Sequence, residues 1–311
     1  MKQKLLSVVL ILTFFLMLLL PAPVFSGASK GLLLWYKTVL PTLLPFMILS
    51  EFMLRTSALS YISHFAGPFL HRIFHVSYPG SFAVIVGFLC GYPMGAKVTA
   101  DLIRSGKISV NEGNYLLSFC NNTSPMFIIS YLIWQNLEKK DFLLPSLCIL
   151  ILSPICSSFL FRFYWKKEDI MSQKNQCKKN PPVTYSGFQL FDFCMMNSFE
   201  AIIKVGGYIM LFSILTEILQ NYVYPTSVIT YFLSMLEITS GISILCRQTL
   251  PFELIWIQAL SLTSFGGLCA TAQTECMIQG TGLKIFPYII EKLITMLVTS
   301  LFSIFYIHFI L

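Results

Sequence analysis

Gly87-Phe88-Leu89-Cys90-Gly91-Tyr92-Pro93-Met94-Gly95 interrupts an apolar run that extends from Ser81 to Ile103. Glycines at four-residue intervals give a smooth face on which a second helix can pack closely. Pro93 lacks a backbone donor and crowds the preceding turn, so the run is expected to break there. A segment of membrane-spanning length with a break in its middle predicts a gap or hairpin tip at membrane depth. Backbone groups freed in such a place must be buried in protein or line a cavity.

The remainder of the chain has the same character. Of its 311 residues 56% are hydrophobic and only 11% charged, which leaves too little polar surface to coat a soluble globule. Apolar runs recur from end to end, so residues 1–311 are expected to form one transmembrane domain. The formal charge of +7 does not point to nucleic acid, because Lys and Arg are spread over short connections instead of forming a basic face. The nine cysteines include no C-x-x-C pair; Cys90, Cys120, Cys148, Cys156 and Cys269 sit in apolar segments as small hydrophobes. Neither a disulfide framework, a metal site nor a cofactor is inferred. His71 and His75 are four apart but have no further ligand nearby, and an interfacial loop is expected.

The expected fold class is an all-α polytopic membrane protein with about seven to nine membrane elements. Lys2 and Lys4 precede the run Leu5 to Leu20, taken as a retained first helix although Ser26-Gly27-Ala28 resembles a signal-peptide cleavage site. Pro41 and Pro45 are expected to divide Gly31 to Arg55 into two shorter pieces, and His64 to Pro79 to form a loop. Ser109 and Glu112 form a capping box for a segment, Gly113 to Trp134, interrupted by Asn121-Asn122-Thr123-Ser124-Pro125. Phe142 to Trp165 is a plain span. Phe188 to Asn197 resembles an interfacial lead-in to a helix from about Ala201 to Leu219. Ser227 to Leu245 forms another, with Glu237 near its middle; Leu254 to Ile278 breaks at Gly266-Gly267, and Phe286 to Leu311 is unbroken. Lys166, Lys167, Lys174, Lys178 and Lys179 outweigh Glu168 and Asp169, so the positive-inside rule puts the loop 166–182 in the cytoplasm.

That loop separates a first half, about 1–165, from a second, about 183–311. Lys37 to Glu51 and Lys204 to Glu217 enclose similar apolar stretches. Each half also holds a Gly-rich interrupted segment: 87–95 in the first, Phe265-Gly266-Gly267-Leu268-Cys269-Ala270-Thr271-Ala272-Gln273-Thr274 in the second. Paired broken segments in corresponding positions point to the central site of a secondary transporter. Compositional bias in Gly-rich helices is the alternative.

The run from Gly87 to Lys97, Leu117-Ser118-Phe119-Cys120-Asn121-Asn122, and Phe265-Gly266-Gly267 with Ala272-Gln273 resemble the YlbJ-type sporulation integral membrane proteins. The similarity also touches Leu34-Trp35, Leu40-Pro41, Leu44-Pro45-Phe46 and Glu237-Ile238-Thr239-Ser240-Gly241. That family is placed among the nucleoside-recognition, or Gate-domain, membrane proteins. The resemblance implies a multi-pass protein of the bacterial cell membrane that carries dipicolinic acid across the outer forespore membrane, with paired hairpins as in nucleoside transporters. Another small molecule such as a nucleoside, or a non-transporting assembly role, stays open. No H-E-x-x-H motif or Ser/His/Asp arrangement suggests an enzyme.

Candidate substrate-binding residues are Asn121, Asn122, Thr123 and Ser124, polar groups placed where unsatisfied donors and acceptors are expensive, with interhelical bonding as the alternative. Tyr92, Pro93 and Met94 are expected to shape the first tip, and Gln273 and Thr274 the second. Helix starts aimed at these tips would favour a small anionic substrate. Gly87, Gly91, Gly95, Gly266 and Gly267 are the structural hairpin glycines. Lys97 is the nearest fixed cation, or else snorkels to the interface. Glu237 is the candidate for ion coupling, while Glu51 and Glu217 are expected at the surface. The lipid bilayer is the expected environment, and homo-oligomerisation stays open.

Overall fold

Apolar runs without water to satisfy their backbone must form helices, and the computed structural model, which describes residues 2–165, 187–222 and 227–309, contains helices and no strand among them. Helix α1 (Lys2–Leu19) leads into α2 (Pro21–Leu34), a π turn (Trp35–Val39) and α3 (Leu40–Arg55). α4 (Ala58–Phe74), α5 (Tyr78–Cys90), α6 (Met94–Arg104) and α7 (Val110–Cys120) follow. α8 (Pro125–Phe127) continues as a π-helical stretch (Ile128–Leu137), and α9 (Leu143–Tyr164) closes the first half. The second half contains α10 (Gly187–Tyr222), α11 (Ser227–Ser234), α12 (Ile238–Cys246), α13 (Phe252–Phe265), α14 (Gly267–Ile278) and α15 (Ile285–Phe309). Six helical segments are long and apolar enough to cross a membrane, or seven if the bent pair α4–α5 counts as one span. This is a multi-pass membrane fold, at the low end of the expected number of elements. The basic loop 166–182 lies outside the described residues.

Several expectations are corrected. Pro41 and Pro45 do not divide the segment from Pro21 to Arg55, which runs as one helical span. The π turn widens the helix ahead of Pro41, with Leu40 N donating to Trp35 O, and the Thr42 hydroxyl donates to Thr38 O (2.6 Å) and Val39 O (3.1 Å). Residues 64–74 belong to a helix, not a loop. α4 ends where His75 turns left-handed (φ 56°), and Ser77 then caps α5 at an angle of 88° to it. The span 188–197 is no separate lead-in but the first turns of the 36-residue α10, about 54 Å long and well beyond the ~30 Å hydrocarbon core. Ser109 does accept from Glu112 N (3.1 Å), yet the Glu112 carboxylate turns away from the reciprocal cap and accepts from Ser77 N at 2.7 Å.

α10 packs along α2 and α3. A Cβ on Gly27 would lie 2.6 Å from Ile214 Cα, and one on Gly31 2.8 Å from Met210 Cα, so backbone meets backbone. Further along, Gly206 faces the Trp35 ring, whose Nε1 donates to Ile202 O (3.0 Å). Buried apolar side chains gather in two clusters, one around α3, α5, α6 and α7 and one around the stretch 128–137, α12 and α13. The glycine contacts give the first cluster its tightness: a Cβ on Gly87 would lie 2.0 Å from Cys120 O and one on Gly95 2.4 Å from the same oxygen. Gly87→Ala should therefore lower the thermal unfolding midpoint in detergent by the equivalent of about 1–3 kcal/mol. Gly207→Ala, with nothing within 4 Å of the added carbon, should leave the midpoint unchanged or raise it.

Candidate functional site

Four helix interruptions meet inside the fold. They lie between α5 and α6 (Gly91-Tyr92-Pro93), α7 and α8 (Asn121 to Ser124), α11 and α12 (Met235 to Glu237), and α13 and α14 (Gly266). The interruptions satisfy one another in pairs. Tyr92 N donates to Asn122 O at 2.6 Å, joining the two gaps of the first half. Leu268 N donates to Met235 O (2.8 Å) and Cys269 N to Leu236 O (2.9 Å), joining the two of the second. Gly91 (φ 84°) and Gly266 (φ 87°) provide the left-handed turns, and a Cβ on Gly91 would lie 2.6 Å from Ser124 N. Gly267 (φ 84°) is held near Met235 O. Across the halves, the Thr123 hydroxyl donates to Thr263 O (2.8 Å) and the Tyr131 hydroxyl to Thr239 O (2.7 Å).

A cavity of about 120 Å³ opens at this meeting point, on the seam between the two apolar clusters. One water needs about 10–15 Å³, so there is room for a small organic molecule. Leu34, Val39 and Leu43 from α2–α3 and Val205 and Ile209 from α10 form its apolar wall. Tyr92, Thr123, Ser124, Thr239 and Gln273 bring polar atoms, and Glu237 is the one charged side chain among the described lining residues. The Glu237 carboxylate caps α12, accepting from Thr239 N (3.0 Å), Ser240 N (2.8 Å) and the Thr239 hydroxyl. It therefore stands at a helix start and not, as expected, in mid-helix, because the run Ser227 to Leu245 is itself broken. α8, capped by Ser124, and α14, which follows Gly266, also start at the cavity.

Other expected site residues lie behind this lining. The Asn121 side chain donates to the Thr274 hydroxyl (2.8 Å) and the Tyr288 hydroxyl (2.9 Å), and accepts from Ala96 N (3.3 Å). Asn122 donates to Phe119 O (2.5 Å) and accepts from Lys292 Nζ (3.2 Å). Thr274 donates to Ala270 O, Met94 is fully buried, and Pro93 precedes α6 without facing the cavity. Lys97 does not snorkel: its Nζ is held by Glu51 (2.7 Å) and Asp101 (2.8 Å). Arg55 holds the other Glu51 oxygen at 3.0 Å, and Glu51 is buried within the protein. Glu217 pairs with Lys30 at 2.7 Å near the start of the α2 span. Lys292 was missed by reading α15 as a plain span; the adjacent charges Glu291-Lys292 inside an apolar run were the available signal.

Beyond this geometry, the chain is similar to the sporulation integral membrane protein YlbJ of Bacillus subtilis (strain 168), 26% identical over 326 residues that cover 93% of this chain and 80% of that protein. This likeness supports the YlbJ-type resemblance. No family model matches it, and no solved structure matches it at a significant level. The YlbJ-type resemblance carried by the motifs around Gly91, Asn121 and Gly266 thus extends over nearly the whole length. Those motifs are the gaps themselves. Because the Asn121 side chain spends three hydrogen bonds on joining α6, α7, α14 and α15, Asn121→Ala should cost about 1–3 kcal/mol of stability, read as a lower unfolding midpoint in detergent.

Proposed function

We propose that this chain is a secondary-transporter-like protein that moves a small anion, dipicolinate, across the outer forespore membrane during sporulation. The observation that carries the reading is the cavity placed where four helix gaps meet. Irregular backbone at membrane depth is tolerated where it serves such a cavity, and broken helices are how transporters build midplane sites. The similarity to a sporulation membrane protein supports the setting, and dipicolinate is what the YlbJ-type resemblance implies.

In this reading the starts of α8 and α14 supply positive field to a carboxylate. Tyr92, Ser124 and Gln273 add hydrogen bonds, and the apolar wall receives the ring. An anion beside the Glu237 carboxylate needs a proton or cation to balance the charge. The parallel order of the halves, in which a long helix precedes two interrupted segments and a closing helix, supports an internal duplication. A second reading, transport of an uncharged solute such as a nucleoside, is favoured by Glu237 being the lining charge; competition binding against dipicolinate separates the two.

Expression in a spore former lacking its own dipicolinate transporter should restore spore dipicolinate, measured in purified spores. Low content despite correct localisation would point to a non-transporting assembly role. Gln273→Ala should weaken dipicolinate binding roughly ten- to a hundredfold with folding retained, since a hydrogen bond to a charged ligand is worth about 1.5–3 kcal/mol. For orientation, we place the face bearing the 166–182 loop in the cytoplasm. Ser105 and Lys139 are exposed at opposite ends of the span Val110–Leu137. In a background cleared of reactive thiols, Lys139→Cys should react with an impermeant maleimide on intact cells, and Ser105→Cys only after permeabilisation.

A further inference from the structure

Lys292 lies in the last helix with 2% of its surface exposed. Its Nζ donates to Asn121 O at 3.0 Å and to Asn122 Oδ1 at 3.2 Å, both neutral acceptors. α15 packs on α7, α9, α13 and α14. The charged side chains on those helices are Glu112 on α7, Arg162 on α9, Glu253 on α13 and Glu275 on α14; Glu291 shares α15 itself. Among the described residues none of these carboxylates comes within 4.0 Å of the Lys292 nitrogen. Glu291 accepts instead from Trp165 Nε1 at 2.7 Å. The remaining titratable groups on the packed helices are thiols and phenols: Tyr115 and Cys120 on α7, Cys148, Cys156 and Tyr164 on α9, Cys269 and Cys276 on α14. Tyr288 on α15 is bonded to Asn121.

The donor count is informative. An ammonium has three N–H groups, whereas a neutral amine has two N–H groups and a lone pair. Lys292 has two acceptors, so its surroundings satisfy the amine and would leave one proton of the ammonium without an acceptor among the described residues. A bare ammonium buried at this depth is costly, and an anion close by removes much of that cost. Asn122 connects the amine to the cavity: its side chain binds Lys292, its carbonyl accepts from Tyr92 N, and its successors Thr123 and Ser124 line the cavity.

We propose that Lys292 is a proton-carrying site, a neutral amine while the cavity is empty and an ammonium while an anion occupies it, so that a proton crosses with each anion. The inference rests on the transport reading and adds its driving ion. The balance is simple: a proton from the adjoining water joins the Nζ lone pair as the anion enters, and returns to water when the anion leaves on the other side. No other bond changes. Lys292 acts through Asn122 without touching the substrate, and is a positioning and charge-balancing residue.

The test measures proton uptake by purified protein in weakly buffered detergent when dipicolinate is added, with binding followed separately. Native protein should take up a proton per bound dipicolinate. Lys292→Gln, which keeps two donors but cannot titrate, and Lys292→Met, which suits apolar surroundings, should bind with the uptake lost. In proteoliposomes whichever variant folds should retain exchange of labelled dipicolinate but lose accumulation driven by an imposed pH gradient. Uptake persisting in a neutral variant, or loss of exchange together with accumulation in a folded variant, overturns the proposal. Binding to native protein without proton uptake overturns it too, while leaving the transport reading standing. Absence of any dipicolinate binding overturns both.

Discussion

Backbone polar groups have nowhere to go at membrane depth except to each other, and the arrangement of this protein follows from that constraint. Each half interrupts two helices, and each interruption is answered by its neighbour: Tyr92 N by Asn122 O, and Leu268 N and Cys269 N by Met235 O and Leu236 O. An isolated gap would leave donors stranded in hydrocarbon at several kcal/mol each. Paired gaps avoid this and place helix starts, with their partial positive charge, around one cavity.

The polar side chains divide into three groups. One set, with Thr123, Ser124 and Gln273 among it, lines the cavity. Behind them Asn121, Thr274, Tyr288 and Lys292 tie four helices together. A third group, Glu51, Arg55, Lys97 and Asp101, joins α3 to α6, and Arg104 extends it by donating to Met277 O and Gln279 O at 2.9 Å. Carbonyls at the end of an interrupted segment in one half are thus held by a guanidinium from the other.

Which parts of this were legible in the sequence depends on whether the backbone announced itself. The gaps at Pro93, Pro125 and Gly266 were readable, because proline cannot donate and glycine alone turns left-handed cheaply. The gap at Met235 to Glu237 was not, since it holds neither residue. Its signature is subtler: Glu237 precedes Thr239 and Ser240, whose amides it caps, and Gly241 lets α12 approach Ser234 O, which an added Cβ would meet at 2.1 Å. Prolines misled in the opposite direction at Pro41 and Pro45, where a π turn and the Thr42 hydroxyl absorbed what local chemistry had removed. Side-chain direction was the least accessible property: Asn121 and Thr123 are two residues apart in one gap, yet one faces a helix junction and the other the cavity.

The contact of α2 with α10 has a mechanical meaning. Where Gly27 and Gly31 bring backbone against backbone, there is no layer of side chains to slide or repack, and the two long helices behave as a single strut. Any displacement would then fall on the shorter elements on the other side of the cavity, each about two to four turns long and ending at a gap. The apolar wall would act as the fixed jaw of a vice, and the half-helices as the part that travels.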